Sequence, residues 1–371
     1  MRILFVTNPA QGHFFPMVPL AWALRAAGHD VLVASPAALR PEILAAGLPA
    51  AVTGGEFDMI AAMRPDRGDG PPTRATDPAV VTAQTAQGFA KLTRRAVDEV
   101  VSLVLRWRPA LVIAEPTAQS GPIAAQRLGV PWVEHRWGLA LSSQLMAILR
   151  QEVGQGDQAP PALVVDVCPP GFQFPAAAAA WSMRYVPYNG AAGHEDWMVS
   201  RERRRILVTL GTVLPRYGDA SSLRSLLSSL VATAREHDAE VLLGIDPADA
   251  SRLGLSADGV RAAAWLPLGL ALPSCDAVVH HGGSGTTMTS LARGVPQLAL
   301  PHFADQFANA GRLAETGAGL SLPPDRLPAL GESLARLLSE PSFAATARAF
   351  AEENAKQPTP AETVERIVAL C

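Results

Sequence analysis

Residues 280–287 form a glycine-rich stretch, HHGGSGTT, that combines backbone freedom with histidine and hydroxyl side chains. The apolar run 277–279 predicts a buried strand before it, and residues 288–293 predict a helix that ends at Gly294. Such a turn directs backbone N–H groups and the positive end of a helix dipole at one point, which suits a phosphate. His281 can add a charge-assisted donor. A tight turn capped by a threonine is the alternative, because the spacing matches neither a dinucleotide motif nor a P-loop.

Two further groups of side chains fall at the predicted ends of strands. Trp265 lies upstream of the glycine-rich stretch, and the apolar strand 297–301 is followed by Asp305 and Gln306. Ligands of doubly wound sheets bind outside the carboxyl ends of the strands, where these groups would meet. An aromatic plate, an anion cradle and two polar side chains for hydroxyl groups are the parts of a nucleotide-sugar site. A core position for Trp265 and helix capping by Asp305 are the alternatives.

His13 is the candidate proton acceptor in the first half of the chain. It follows Gly12 beyond the predicted strand 2–7, close to the start of the predicted helix 16–27. A neutral histidine, with an unperturbed pKa of about 6.5, can take a proton near neutral pH. The helix N-terminus disfavours the imidazolium form and so keeps the base free. A buried or capping histidine is the alternative.

Length and composition limit the classes of protein. With 371 residues, 49% of them hydrophobic, the chain is long enough for two domains. The formal net charge of −3 argues against nucleic acid as a main partner, and we interpret the charged run 201–205 as a solvated linker. The three cysteines have no metal-ligand spacing and no disulfide framework, which fits a reduced cytoplasm. The apolar run 3–6 is too short for a signal peptide, and no stretch has transmembrane length.

Apolar periodicity predicts the elements that position these residues. Strand 2–7, helix 16–27 and strand 29–34 open a parallel sheet, and residues 205–212 repeat the opening strand and turn. Further strands are predicted at 110–114, 131–133 and 184–189, and further helices at 84–105, 120–128, 222–236, 269–273, 286–293, 325–338, 342–355 and 361–369. Segment 54–78 lacks periodicity and predicts a mobile loop, and segment 154–175 predicts irregular structure.

The segment from Trp265 to Gln306 resembles the donor-binding signature of GT-B glycosyltransferases, in the family that includes plant and bacterial natural-product glycosyltransferases. Residues 2–28 and 205–212 are also similar, and the chain looks most like actinobacterial enzymes that transfer deoxysugars from dTDP donors to antibiotic aglycones. The resemblance implies an α/β fold of the GT-B type, in which two Rossmann-like doubly wound domains face each other across a cleft. The implied parts are an acceptor-binding domain at 1–189, a linker at 190–205, a nucleotide-sugar-binding domain at 206–357 and a C-terminal helix at 358–371 that returns to the first domain.

The resemblance also implies roles for individual residues. Catalysis would rest on His13 as general base and on Glu115 as its orienting acid. Glu115 stands where the family has an aspartate and is one methylene longer, so the geometry of the pair must shift; a surface carboxylate before a proline is the alternative. The implied donor-binding residues are Gly12, Thr212, Trp265, Leu266, His281, Gly283, Ser284, Gly285, Thr286, Asp305 and Gln306.

Two further features concern the choice of substrates. Relatives that use UDP-sugars carry a glutamate eight residues after the phosphate-binding histidine, where it binds both ribose hydroxyls, and this chain has Thr289 there. A threonine is compatible with a dTDP donor, whose sugar lacks the 2′-hydroxyl. The candidate acceptor-binding residues, each equally consistent with a core position, are Phe14, Phe57, His135, Trp137 and Met146. His135 is also a rival base, and segment 54–78 is a candidate lid.

The resemblance therefore implies a metal-independent inverting glycosyltransferase that moves a deoxysugar from a dTDP-sugar to a hydrophobic natural-product aglycone in antibiotic biosynthesis. The chain has no Asp-x-Asp metal clamp, so we expect no metal or other cofactor, and the dTDP-sugar acts as co-substrate. A nucleotide-sugar epimerase or hydrolase on the same fold and a non-catalytic nucleotide-sugar-binding partner are the alternative functions. We expect a cytoplasmic protein with neither nucleic acid nor an integral membrane as partner, and a homodimer stays open.

Overall fold

The structure, a computed structural model, describes residues 1–57, 59–63, 78–155, 158–194, 196–198, 201, 203–210, 220–244, 260–263, 265–302 and 305–371. Thr212 and most of the predicted loop 54–78 lie outside these residues. The chain divides into two compact units. Unit 1 contains residues 1–168, 173–184 and 357–371, and unit 2 contains residues 169–172 and 185–356.

Unit 1 is built on a seven-stranded sheet whose neighbouring strands are all parallel. The strands are β1 (Arg2–Val6), β2 (Asp30–Ser35), β3 (Ala50–Val52), β4 (Leu111–Ala114), β5 (Trp132–His135), β6 (Leu163–Asp166) and β7 (Trp181–Ser182). Their order across the sheet is β3-β2-β1-β4-β5-β6-β7, so the direction of winding reverses between β1 and β4. The apolar residues of β1 and β4 are buried, as in a parallel sheet covered on both faces.

The helices of unit 1 up to its sixth strand are α1 (Gln11–Phe14), α2 (Val18–Ala26), α3 (Arg40–Ala45), α4 (Met59–Met63), α5 (Pro78–Trp107), α6 (Ser120–Leu128) and α7 (Ser143–Glu152). A 3₁₀ turn at Phe15–Met17 joins α1 to α2. Helix α6 spans the predicted residues and ends at Gly129, which adopts the left-handed conformation typical of such ends. Helix α5 is longer than the predicted 84–105.

Some expectations for the irregular segments were wrong. Segment 54–78 contains α4, so its described part is not all loop. Segment 154–175 contains β6, a short apolar strand between prolines that pairs with β5. The predicted strand 184–189 does not form, because Tyr185 directs its N–H (2.8 Å) and its carbonyl (3.0 Å) to the side chain of Asn354 and Pro187 has no N–H.

Unit 2 is built on a second parallel sheet, of six strands. The strands are β8 (Arg204–Thr209), β9 (Ala239–Leu243), β10 (Val260–Ala263), β11 (Ala277–His280), β12 (Gln297–Ala299) and β13 (Gly319–Ser321). Their order is β10-β9-β8-β11-β12-β13, so β8 lies beside β11 as β1 lies beside β4 in unit 1. The predicted α/β class with two parallel, doubly wound sheets is confirmed.

The helices of unit 2 are α8 (Ala220–Glu236), α9 (Leu268–Ala271), α10 (Ser284–Arg293), α11 (Asp305–Thr316), α12 (Leu330–Ser339) and α13 (Pro341–Lys356). The last helix, α14 (Pro360–Val368), belongs to unit 1, where it packs on α2. Thr359 and Glu362 form a capping box that fixes where α14 begins. Within the described ranges, no helix is both long and apolar enough to cross a membrane.

Arg205 departs from the expectation that residues 201–205 are solvated. Its side chain is fully buried at the start of β8, whereas Arg203 and Arg204 are exposed. Its Nε donates to Glu240 Oε1 at 2.6 Å, and its Nη1 donates to the Trp197 carbonyl and to Ser274 Oγ, both at 2.7 Å. A buried guanidinium is tolerated when its donors and its charge are matched in this way. The charge pattern of residues 201–205 could not predict the burial of Arg205, because its partner Glu240 lies 35 residues further along the chain.

We expect Glu240→Ala to lower the free energy of unfolding by about 3–5 kcal/mol, because it removes the carboxylate that lies 2.6 Å from the buried guanidinium of Arg205. Urea titration monitored by circular dichroism measures the change. Glu236→Ala, at an exposed glutamate of the neighbouring helix, is the matched control and should change the value by about 0.5 kcal/mol or less. A similar small change in both variants would contradict the role of this ion pair.

Candidate active site

His13 and Glu115 meet at the edge of the unit 1 sheet. His13 lies in α1, just after β1, and Glu115 follows β4, which pairs with β1. Parallel neighbours end at the same edge, so the topology brings the two residues together. His13 Nδ1 lies 3.2 Å from Glu115 Oε1. The longer glutamate side chain therefore reaches the imidazole despite its extra methylene.

The Glu115 carboxylate is held by several donors. The backbone N–H of Asn8 donates to Oε1 at 3.2 Å, and the backbone N–H of Thr117 donates to Oε2 at 2.7 Å. The Thr117 hydroxyl lies 3.1 and 3.0 Å from the two carboxylate oxygens. These contacts fix the carboxylate so that it can accept a hydrogen bond from the N–H of His13 Nδ1. The tautomer protonated at Nδ1 has its lone pair on Nε2, which is the form that a general base requires.

Aromatic rings pack on the His13 imidazole. The Trp137 ring lies 4.1 Å from it between centroids, and the Phe89 ring lies 5.8 Å away. The His13 side chain nevertheless keeps 16% of its surface exposed. Sequence analysis missed Asn8, Thr117 and Phe89, because none of them carries a motif that marks it as a neighbour of His13.

Two of the candidate acceptor residues, Phe57 and Met146, pack against the cluster that contains Phe89. Met59 of α4 packs with them against this buried cluster, whose members come from α4, α5 and α7. The guanidinium of Arg95 lies 4.0 Å from the centre of the Phe57 ring. Phe14 and Trp137 are both buried, so in this structure Phe14 is a core residue and Trp137 mainly covers His13. Trp137 and Phe89 are therefore the aromatic groups beside the His13 imidazole, and Phe57, Met59 and Met146 pack against the cluster that contains Phe89.

His135 lies at the end of β5 with its side chain fully buried. Burial lowers the pKa of His135 to about 4, although nearby backbone groups act in the opposite direction. A histidine with this pKa is uncharged at neutral pH. Solvent does not reach its ring, whereas the His13 ring is partly exposed.

We expect acid to destabilise unit 1 through His135. The unfolded chain protonates this residue near pH 6.5 and the folded chain only near pH 4, so stability falls between these values. His135→Gln should reduce the acid-induced decrease in the free energy of unfolding by roughly 3 kcal/mol. Urea titrations at pH 7 and at pH 4.5 compare the two proteins, with His194→Gln at an exposed histidine as control. An unchanged pH dependence in His135→Gln would contradict this account.

The glycine-rich stretch forms the predicted turn between β11 and α10. The helix begins at Ser284, two residues earlier than predicted, and Gly283 is its N-cap. Ser284, Gly285 and Thr286 therefore occupy its first turn, where N–H groups have no intrahelical acceptor. A Cβ on Gly283 would collide with Nε2 of His281, so a glycine is required for the imidazole to lie at the helix N-terminus.

His281 and its neighbour His280 are uncharged at neutral pH. Burial lowers the pKa of His281 to about 4, against the influence of the Thr209 backbone. Burial lowers the pKa of His280 to about 3, and its Nδ1 accepts a 3.0 Å hydrogen bond from the N–H of Gly282. His281 thus offers a neutral donor or acceptor in this structure, rather than the charge-assisted donor expected from the sequence.

Asp305 and Gln306 begin α11 and contact the same edge of the sheet. Asp305 Oδ2 accepts a 3.0 Å hydrogen bond from Ser284 Oγ, and Gln306 Oε1 accepts one from the His302 N–H at 2.9 Å. Asn309, one turn later, donates to the Gly282 carbonyl at 2.9 Å and to Ser284 Oγ at 3.0 Å. The first turn of α11 is therefore tied to the glycine-rich turn. Sequence analysis missed Asn309.

Trp265 lies with 40% of its surface exposed, and its indole N–H donates to the Asn189 carbonyl at 2.9 Å. Leu266 is buried beside Gly244, beyond the end of β9. Thr289 is fully buried, and its hydroxyl donates to the Gly285 carbonyl at 2.7 Å. Among the described residues, no group of three or more His, Cys, Asp or Glu side chains could hold a metal ion.

The chain matches the profiles of one protein family in both halves. The profile described as erythromycin biosynthesis protein CIII-like, N-terminal domain, matches residues 22–211, and the corresponding C-terminal domain profile matches residues 228–370. The chain is 42% identical over 382 residues to the L-demethylnoviosyl transferase of Streptomyces niveus, covering 100% of this chain and 98% of that protein.

Solved structures are similar over the full length as well. The glycosyltransferase SsfS6 of Streptomyces sp. SF2575, complexed with thymidine diphosphate, superposes with a TM-score of 0.86 at 35% identity, covering 100% of both chains. The spinosyn rhamnosyltransferase SpnG, complexed with spinosyn aglycone, superposes with a TM-score of 0.85 at 32% identity, covering 99% of this chain and 100% of that one. This likeness confirms the GT-B fold.

Proposed function

Because the chain belongs to the erythromycin biosynthesis protein CIII-like family of antibiotic-biosynthesis glycosyltransferases, we propose that it transfers a deoxysugar from a dTDP-sugar to a hydrophobic aglycone with inversion at the anomeric carbon. Two relatives support the choice of substrates: SsfS6 is complexed with thymidine diphosphate and SpnG with spinosyn aglycone. The 3.2 Å contact between His13 Nδ1 and Glu115 is the observation that carries the proposal.

The acid–base step follows from the hydrogen bonds around His13. Glu115 accepts a hydrogen bond from Nδ1–H, so the lone pair of Nε2 is free to take the proton of an acceptor hydroxyl as its oxygen attacks the anomeric carbon. Attack from the face opposite the leaving diphosphate inverts that carbon. The buried carboxylate then stabilises the imidazolium that has formed. Trp137 and Phe89 restrict rotation of the imidazole ring and so favour one direction for Nε2.

The leaving diphosphate takes up negative charge as the glycosidic bond breaks. The N–H groups in the first turn of α10, together with its dipole, support a metal-free stabilisation of that charge. His281, held against Gly283, adds a neutral donor at the same position. Thr212 is proposed to contact the same group and lies outside the described residues.

The nucleoside and the sugar are assigned to the neighbouring residues. Trp265, partly exposed, offers its ring face for stacking on the pyrimidine. Thr289 is buried with its hydroxyl engaged, so that position presents no carboxylate to a ribose 2′-hydroxyl, which favours dTDP over UDP. Asp305 and Gln306 are proposed to bind the hydroxyl groups of the sugar.

The acceptor is assigned to the apolar surface of unit 1. Phe89 lies 5.8 Å from the His13 ring between centroids, and Met59 and Met146 pack against the cluster that contains Phe89. Flexible methionine side chains adapt to irregular apolar shapes, which suits a bulky aglycone better than a small polar acceptor. Donor and acceptor are thus assigned to different units of the chain.

We expect His13→Ala to lower kcat/KM by about 10²–10⁴ while the affinity for dTDP stays unchanged, because the base acts only in the chemical step. Glu115→Gln should also lower kcat, since its amide can force the proton onto Nε2. Mass spectrometry of glycoside formed from dTDP-sugars and polyketide aglycones measures the rate, and NMR of the product reports inversion.

Glu134→Gln is the matched control for Glu115→Gln, because Glu134 is a largely buried carboxylate at the end of β5 that contacts Arg136. Its variant should retain full turnover. Retention of activity in His13→Ala would contradict the assignment of the base. Failure of the wild-type protein to form any product, with donor binding intact, would favour a non-catalytic binding protein.

Calorimetric titration tests the donor site. We expect dTDP to bind more tightly than UDP. The affinity for dTDP should be the same in EDTA and in magnesium, because protein N–H groups stabilise the charge of the diphosphate. His281→Ala should weaken dTDP about tenfold, the cost of one strong hydrogen bond to phosphate. Tighter binding of UDP would contradict the role of Thr289, and binding that requires magnesium would contradict the metal-free site.

A further inference from the structure

Residues 185–189 form an irregular segment of unit 2 that contacts the proposed nucleotide site at both of its ends. Tyr185 Oη lies 3.2 Å from Thr289 Oγ1 and donates to the Gly285 carbonyl at 3.3 Å, so it touches α10 within its first two turns. Burial raises the pKa of Tyr185 to about 12, which keeps this phenol protonated. The start of the segment is thereby fixed to the helix that receives the diphosphate.

Asn189, at the other end, makes three hydrogen bonds. Its carbonyl accepts from the Trp265 indole at 2.9 Å, and its Oδ1 accepts from the N–H of Gly269 at 2.8 Å. Its Nδ2 donates to Thr289 Oγ1 at 3.2 Å. One residue therefore joins the aromatic ring, helix α9 and helix α10.

The orientation of the Trp265 ring must be restricted if a base is to stack on it without a large loss of side-chain entropy. A tryptophan that is 40% exposed retains rotamer freedom, and a base that stacks on it must first restrict that freedom. The hydrogen bond from the indole N–H to the Asn189 carbonyl restricts the ring before any ligand arrives. The side chain of Asn189 in turn fixes the position of that carbonyl, because both of its amide atoms are engaged.

The bonds of Asn189 also set the spacing between two subsites. Trp265 is proposed to bind the base, and α10 is proposed to bind the diphosphate. Asn189 contacts both of them through Trp265 and Thr289. Gly190 follows with a φ of +86°, so the chain turns away directly after these contacts. The covalent structure of a nucleoside diphosphate limits the distance between its base and its phosphates. A fixed distance between the two subsites therefore favours a ligand of this size.

We propose that Asn189 is a positioning residue for the donor nucleotide, holding the Trp265 ring at a set distance and orientation from the N-terminus of α10. This inference rests on the proposed function of the site. It adds a residue that precedes the resemblance segment 265–306 by more than 70 positions. Asn189 itself makes no contact with the ligand in this proposal and acts through Trp265.

The test compares two ligands on the full-length protein. Calorimetry measures dTDP, and competition against dTDP measures inorganic pyrophosphate, which lacks the base. We expect Asn189→Ala to weaken dTDP about five- to tenfold, as for the loss of one or two hydrogen bonds, and to leave pyrophosphate within about twofold. A general loss of structure would weaken both ligands. Trp265→Phe, which keeps a ring and removes the indole donor, should show the same selective loss.

The double variant tests whether the two residues act together. If Asn189 works through Trp265, adding Asn189→Ala to Trp265→Phe should cost less than twofold more, because coupled residues are not additive. Asn354→Ala is the matched control: Asn354 is buried and bonds the backbone of Tyr185, away from Trp265. It should lower thermal stability without changing the ratio of the dTDP and pyrophosphate affinities.

Two results would overturn the inference while leaving the proposed function intact: dTDP affinity unchanged in Asn189→Ala, or fully additive losses in the double variant. An equal loss of dTDP and pyrophosphate would also overturn it, since Asn189 would then support the fold of unit 2 in general. If the wild-type protein bound neither dTDP nor pyrophosphate, the proposed donor site itself would be contradicted. The wild-type titration gives this result before any variant is compared.

Discussion

The burial of parallel strands on both faces is the constraint on which both halves of the proposed chemistry depend. The central strands β1, β4, β8 and β11 are mostly apolar and buried, and the polar side chains that follow them gather at their carboxyl ends. His13 and Glu115 meet there because β1 and β4 are neighbours. The glycine-rich turn lies at the same position of the second sheet, after β11.

Burial also sorts the histidines into two kinds. His135 and His280 are fully buried and His281 is partly buried, and desolvation lowers the pKa of each far enough that no charge is carried at neutral pH. His13 keeps a partly exposed ring and a carboxylate partner whose other contacts are all donors. A proton acceptor needs both access to its substrate and a way to stabilise the charge that it gains. His135 has no access to solvent, whereas the ring of His13 is partly exposed, so His13 is the better candidate for the base.

Sequence patterns carry much of this information, and their limits have physical causes. The glycine-rich turn and the first βαβ unit could be predicted because glycines and apolar periodicity act over a few residues. Phe89 and Asn189 could not, since each acquires its role from a partner far along the chain. Arg205 resembles a solvated charge until Glu240 and Ser274 surround it. Strand β6 is too short between its prolines to show a period.

The path of the chain between the units constrains how the halves could be exchanged between relatives. Apart from the four residues 169–172, which belong to unit 2, the chain leaves unit 1 before residue 185 and re-enters it at residue 357, so unit 1 is not continuous. A chimera that swaps the nucleotide half therefore needs two junctions, and a single crossover would leave α14 from one parent against α2 from the other. The first junction must precede Tyr185 rather than β8. Otherwise Asn189 and Trp265 would come from different parents, and the chimera would contain the Trp265 ring without the matching residue that orients it.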